Sequence, residues 1–159
     1  MDKLTLDHLA PYLPYEIRVN FRKTERNLTA ISLDSPFVFV SAWKGSREKE
    51  MVSIEEIKPI LRPLSDLIKE IEHHGKRFIP IEWFEIGDDE SENWFSFGHG
   101  NINLINDLNL ISTHQVYHDI NFLPYAIVQK LIEWHFDVLG LIDEGLAVDI
   151  NTLGKEINL

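Results

Sequence analysis

Residues 123–149, LPYAIVQKLIEWHFDVLGLIDEGLAVD, form the stretch on which the fold turns. At 3.6 residues per turn, Ile127, Val128, Leu131, His135, Val138, Leu139 and Ile142 fall on one side of a helix, while Lys130, Glu133 and Asp137 face the other way. Pro124 suits a first helical turn, where no backbone donor is required, and Gly140 or Gly145 can end the helix. The spacing predicts a long amphipathic helix over 124–139. Ordering its backbone costs about as much free energy as burying its apolar face gains, so the helix needs a layer to lie on. Trp134 and Phe136 flank the stripe and widen it, which points to a deeply buried helix or to one that also meets a second chain. These two are the candidate protein-binding residues.

The layer is expected in the first third of the chain. From Glu16 the apolar period changes to two: Ile17, Val19 and Phe21 alternate with Arg18, Asn20 and Arg22, the pattern of a strand with one wet face. Lys23 to Asn27 supply a polar turn, and Leu28 to Leu33 return as a second strand. FVFVSAW at 37–43 is a nearly continuous apolar run suited to a strand covered on both faces, and Met51 to Ile54 suit a short fourth strand. Short links between these segments favour an antiparallel meander over 16–54. Ahead of it, Thr5 to Leu13 read as a short helix with His8 near its cap, stopped by Pro11 and Pro14.

Beyond the meander, Ser53 and Glu56 have capping-box spacing, but Pro59 and Pro63 forbid a long helix there. Leu64, Leu67, Ile68 and Ile71 predict a helix over 65–74, closed by Gly75, with His73 and His74 favoured by the dipole in its last turn. Trp83 or Phe84 is expected to plug the core from a short helix begun near Pro80, and residues 87–93 to form an acidic turn. Leu104, Ile105, Leu108 and Ile111 predict a helix over 101–111, and Leu146 to Ile150 a final extended segment against the sheet. The expected fold is α+β: one domain over 1–159, a small antiparallel sheet in the N-terminal third, packed by short helices and the long C-terminal amphipathic helix.

Charge is unevenly placed. Residues 1–77 carry 13 Lys/Arg against 12 Asp/Glu, and residues 78–159 carry 2 against 14, so the second half holds almost all of the net charge of −11. Nucleic-acid binding relies on Lys and Arg displacing counterions from phosphates, which makes it an unfavoured function for this chain. Arg18, Arg22, Lys23 and Arg26, at the first hairpin, are the candidate nucleic-acid-binding residues. No run of 18 apolar residues exists, and Met1-Asp2-Lys3 leads into a polar-spaced segment, so neither a membrane span nor a signal peptide is expected. The absence of cysteine excludes disulfides, thiolate zinc sites and a cysteine nucleophile, which fits a cytoplasmic protein.

Catalytic signatures are missing. There is no G-x-S-x-G, the acidic run at 87–93 lacks the ligand spacing and glycine of an EF-hand, and Gly98-His99-Gly100 is too short for a phosphate loop. His114, His118 and Asp119 are the weakest of metal candidates: on a helix the two histidines share a face, whereas on a strand they lie roughly 13 Å apart. Val116 and Tyr117 favour the strand, so no metal or other cofactor is expected. His135 is expected to be a neutral core residue bonded through one ring nitrogen.

Three words, LTLDHLAPYLPY (4–15), IKPILRPLSDLIKEI (57–71) and LIEWHFDVLGLIDEGLAVDINTL (131–153), resemble an uncharacterised family of small proteins encoded by phages and prophages. The resemblance implies a phage-related origin and a host-cell cytoplasmic setting, and carries no catalytic residues with it. The expected function is a non-enzymatic accessory protein that binds a host or phage protein, with a homo-oligomer as a further use of the apolar face. The alternatives are a metal-dependent hydrolase or nuclease, and nucleic-acid binding through the Arg18–Arg26 hairpin.

Overall fold

The structure, a computed structural model, describes residues 3–83, 85–89, 92–97, 100–103 and 125–154. It is built on a six-stranded mixed sheet. Strands β1 (Arg18–Phe21), β2 (Thr24–Ile31), β3 (Phe37–Ser41) and β4 (Glu50–Ser53) run as an antiparallel meander; β5 (Ile57–Leu61) returns antiparallel to β1, and a two-residue strand, Val148–Asp149, pairs parallel to β5 at the far edge. Val19, Phe21, Leu28, Val38, Val40 and Ile57 turn inward to one core. That alternation is the period of two visible in the sequence.

The link between β4 and β5 sets the curvature. A single 3₁₀ turn, Ile54–Glu56, joins strands separated in the sheet by β1, β2 and β3. Four spacings of about 4.8 Å make roughly 19 Å, while four residue steps reach about 14 Å at most, so a flat sheet is excluded. The meander must roll until its ends approach, and the Ile54 N–H seals the corner by donating to the Pro36 carbonyl at 2.8 Å. Thr29 supports the bend at an irregularity between Leu28 and Ala30, its hydroxyl donating to the Phe39 carbonyl at 3.0 Å.

The expected small antiparallel sheet packed by helices is therefore corrected to a mixed six-stranded sheet with two short helices among the described residues. Helix α1 (Leu6–Leu9) continues as a 3₁₀ segment, Ala10–Tyr15, and the predicted long helix shrinks to α2, Tyr125–Glu133. The cause is local. The Phe136 N–H donates to the Leu131 carbonyl and the His135 N–H to the Ile132 carbonyl, both at 2.9 Å, with His135 at φ +62°. This is a Schellman ending with histidine in the left-handed position that glycine usually takes. Beyond it the chain pairs with Arg62, whose N–H donates to the His135 carbonyl and whose own carbonyl accepts from the Asp137 N–H, each at 2.8 Å. Leu139, which the helical stripe would bury, is 37 % exposed.

The helix predicted over 65–74 is also corrected. A 3₁₀ turn, Leu64–Ile68, is followed by a hairpin, β6 (Ile71–His73) and β7 (Lys76–Phe78), turned by His74 and Gly75. Both turn residues have positive φ, as a two-residue hairpin with the right twist requires. Asp66 is buried, and accepts from the Asn151 side-chain amide at 2.8 Å and from Lys69 Nζ at 3.0 Å. Similarly, the first hairpin turns on Arg22 and Lys23, both at positive φ, rather than on a loop over 23–27.

A second sheet, β8 (Glu85–Asp89), β9 (Glu92–Phe97) and β10 (Gly100–Asn103), takes the place of the acidic turn and of the start of the helix predicted over 101–111; residues 104–111 lie outside the described ones. Val148–Asp149, named β11 here, is the extended segment expected near the C-terminus. Phe37–Ser41 is covered fully on the face of Val38 and Val40 and only in part on the other, where Phe37 is exposed, Phe39 half-buried and Ser41 buried. Among the described residues no helix is long and apolar enough to cross a membrane.

Candidate binding cleft

Four segments distant in sequence converge on an open cleft of about 560 Å³. The 3₁₀ segment after α1 supplies Pro14 and Tyr15, followed by Glu16; the β6–β7 hairpin supplies His73, His74, Lys76, Arg77 and Phe78; a 3₁₀ turn, Pro80–Trp83, supplies Trp83; and α2 with its ending supplies Lys130, Glu133 and Trp134. The volume is in the range of small-molecule and peptide side-chain sites.

Its floor is aromatic. Phe78, Trp83 and Trp134 meet pairwise with ring centroids 5.0 to 5.6 Å apart and planes inclined by 54° to 73°. Edge-on arrangements of this kind set the positive ring edge against the negative face. Lys130 lies over two of the rings, its Nζ 5.5 Å from the Trp83 centroid and 5.2 Å from that of Trp134, while donating to Glu133 Oε1 at 2.7 Å. Its side chain is only 18 % exposed, so the ammonium is held by ring faces and one carboxylate. Trp83, expected to plug the core, instead keeps half of its surface exposed at the cleft.

Imidazoles form one wall. His73 meets His74 at 4.2 Å between ring centroids and His135 edge-on at 5.0 Å. His135 Nε2 donates to the Tyr15 carbonyl at 2.6 Å, which matches the expected single ring-nitrogen bond and ties the end of α2 to the N-terminal segment. Burial is the main reason the His73 pKa falls to about 3, with the neighbouring imidazoles adding to it. Burial likewise lowers His135 to about 4, against the opposing pull of the Tyr15 carbonyl. Both rings are neutral at pH 7. Glu16, at φ +60°, pairs with Lys44 at 2.6 Å, and that bond holds its carboxyl below the usual range. Arg77 pairs loosely with Glu72 at 3.3 Å; Lys76 has no carboxylate partner among the described residues.

The residues singled out from sequence are separated by this geometry. Trp134 is buried but reaches the cleft floor, whereas Phe136 is wholly inside the core and offers no surface to a partner. Beyond the helix ending they no longer flank one helical face. Arg18 is bound to Glu25 at 2.5 Å and Arg22 to Glu56 at 2.8 Å, so two cations of the hairpin are neutralised; Lys23 is exposed, and Arg26 lies in a separate recess. His114, His118 and Asp119 lie outside the described residues, and among the described residues no three His, Asp or Glu side chains gather as a metal would need. Sequence reading missed His73, His74, Phe78 and Lys130 as cleft residues. The His74-Gly75 pair between Ile71 and Phe78 was the available signal, because a two-residue turn ending in glycine is a hairpin mark.

Searches of protein-family models, of curated proteins and of solved structures return no match to this chain.

Proposed function

We propose that this protein is a non-enzymatic binding module that takes an extended segment of another protein into the cleft, in the phage or prophage setting that its sequence words suggest. The observation that supports this reading is the pairing of an exposed indole, Trp83, seated against Phe78 and Trp134, with a rim bearing Lys76 and Arg77. An apolar or aromatic side chain lying on Trp83, next to a carboxylate reaching Lys76, complements both. Recognition sites concentrate their affinity in such central aromatic anchors with charged groups at the edge. The cleft lining holds two carboxylates, two imidazoles and three cations, so locally it favours an anionic ligand despite the overall charge of −11.

A randomised peptide library displayed against the full chain tests the proposal. Enriched peptides should combine an aromatic or large aliphatic residue with a neighbouring Asp or Glu. Trp83→Ala should weaken their binding by about tenfold or more, as central aromatic anchors do. Leu33→Ser, at an exposed loop position away from the cleft, should leave binding unchanged. No enrichment, or equal binding by Trp83→Ala, would overturn it.

A further inference from the structure

A second recess, of about 350 Å³, opens where the β1–β2 hairpin meets the loop between β3 and β4. Arg26, Trp43, Ser46, Glu48, Lys49 and Glu50 are among its walls. Arg26 differs from its hairpin neighbours: Arg18 and Arg22 each hold a carboxylate, whereas Arg26 has no ion-pair partner among the described residues. Its Nε is buried and without a hydrogen-bond partner. A buried charged donor left unpaired is costly, and Arg26 lines the recess, where the terminal nitrogens of a guanidinium suit an incoming oxyanion because they bind two oxygens side by side.

The surroundings narrow the ligand. Lys49 adds a second cation without a carboxylate partner among the described residues, and Glu48 and Glu50 balance the two. A recess with no net charge accepts one negative charge more readily than two, which favours a carboxylate over a phosphate dianion. Trp43 is 63 % exposed on the same recess, a large indole that gains by being covered. The loop carrying it is pre-shaped: the Ser46 hydroxyl donates to the Glu48 carbonyl at 3.3 Å and accepts from the Glu48 N–H at 3.2 Å.

We infer that this recess is a binding site for a carboxylate borne next to an aromatic or apolar group, the carboxylate paired with Arg26 and the apolar group covering Trp43. It is independent of the cleft around Trp83.

Benzoate, acetate and inorganic phosphate are the probes, titrated into the isotope-labelled full chain with sodium chloride at matched ionic strength as reference. The readouts are the Arg26 Nε–H and Trp43 indole N–H signals in proton–nitrogen correlation spectra. Benzoate should move both signals along one saturable curve and bind about tenfold more tightly than acetate, which cannot cover the indole. Phosphate should bind more weakly than benzoate. Arg26→Lys keeps the charge without the fork and should lower benzoate affinity about tenfold, and Lys23→Gln should not change it. Shifts no larger than with sodium chloride, tighter binding of phosphate than benzoate, or a Trp43 shift that survives in an Arg26→Gln protein with an otherwise native spectrum would each overturn the assignment.

Discussion

The Tyr12 hydroxyl donates to the Phe136 carbonyl at 2.7 Å across 124 positions of chain, with both side chains wholly excluded from solvent. The same oxygen accepts from the Val138 N–H at 3.4 Å. One phenol thus ties the N-terminal 3₁₀ segment to the chain that leaves α2, and burial, with the Asp137 charge nearby, pushes its pKa far above the ordinary tyrosine value. The hydroxyl stays protonated and able to donate.

Tyr12→Phe should therefore leave a buried carbonyl without its donor. The expected loss is about 1 to 3 kcal/mol, read as a lower denaturant midpoint at unchanged slope. A change within about 0.5 kcal/mol would show that the bond adds nothing beyond packing of the ring.

Asp137 is a second anchor in the same segment. Its buried carboxylate accepts from the Leu141 N–H at 2.9 Å and the Ile142 N–H at 2.8 Å, which holds the turn after α2. Burial raises its pKa while these bonds resist the shift. Asp137→Ala should cost about 2 to 4 kcal/mol by orphaning two donors, and Asp137→Asn, which keeps one acceptor oxygen, should cost less. Chemical denaturation of the two variants checks the order; Asn as damaging as Ala would contradict it.

His135 occupies a left-handed position at φ +62°. Substitution by Gly or by Ala removes the ring and its bond to the Tyr15 carbonyl equally, but only alanine retains the backbone strain. His135→Gly should thus be more stable than His135→Ala by about 1 kcal/mol. Thermal unfolding of the pair measures the difference, and equal stabilities would mean that the strain is not held in the native chain.

Acid should weaken the fold before the carboxylates titrate. His73 and His135 have folded-state pKa values of about 3 and about 4, below the ordinary 6.5 they regain on unfolding. The unfolded chain therefore binds more protons, so stability begins to fall as pH drops below about 6.5 and continues to fall until the folded values are reached. Between about pH 6.5 and 5, ordinary carboxylates remain mostly ionised, and the raised Asp137 carboxyl acts in the opposite direction, so a loss of stability there reports histidine. His73→Gln and His135→Gln should each flatten it in equilibrium unfolding; an unchanged slope in both would remove these rings as its cause.

Local order was legible in the chain where one face is buried by neighbours close in sequence. The alternation of Ile17, Val19 and Phe21 marks β1, because a strand's side chains point alternately inward and outward whatever it pairs with, while the apolar, β-branched run FVFVS marks β3 as a strand without showing which face is buried. Pro59 and Pro63 rightly argued against a helix where β5 lies. The helical stripe from Ile127 misled beyond Glu133, since apolar residues at helical spacing also occur in a chain that turns and buries Trp134, Phe136 and Val138 by other routes. The same ambiguity turned the sequence around His73 and His74 from a hairpin into a helix end.

Sequence by itself determined the inward-facing residues of β1 and the punctuation between the strands of the meander, because those follow from side-chain direction and turn chemistry over a few residues. Only the tertiary structure decided that the sheet rolls, that β11 joins β5 in parallel, and that Tyr15, His73, Trp83 and Lys130 share one cleft. The physical reason is distance along the chain. A three-residue link too short for a flat sheet forces the curvature, and hydrogen bonds such as Tyr12 to Phe136 close loops whose partners carry no mark of each other in their local spacing.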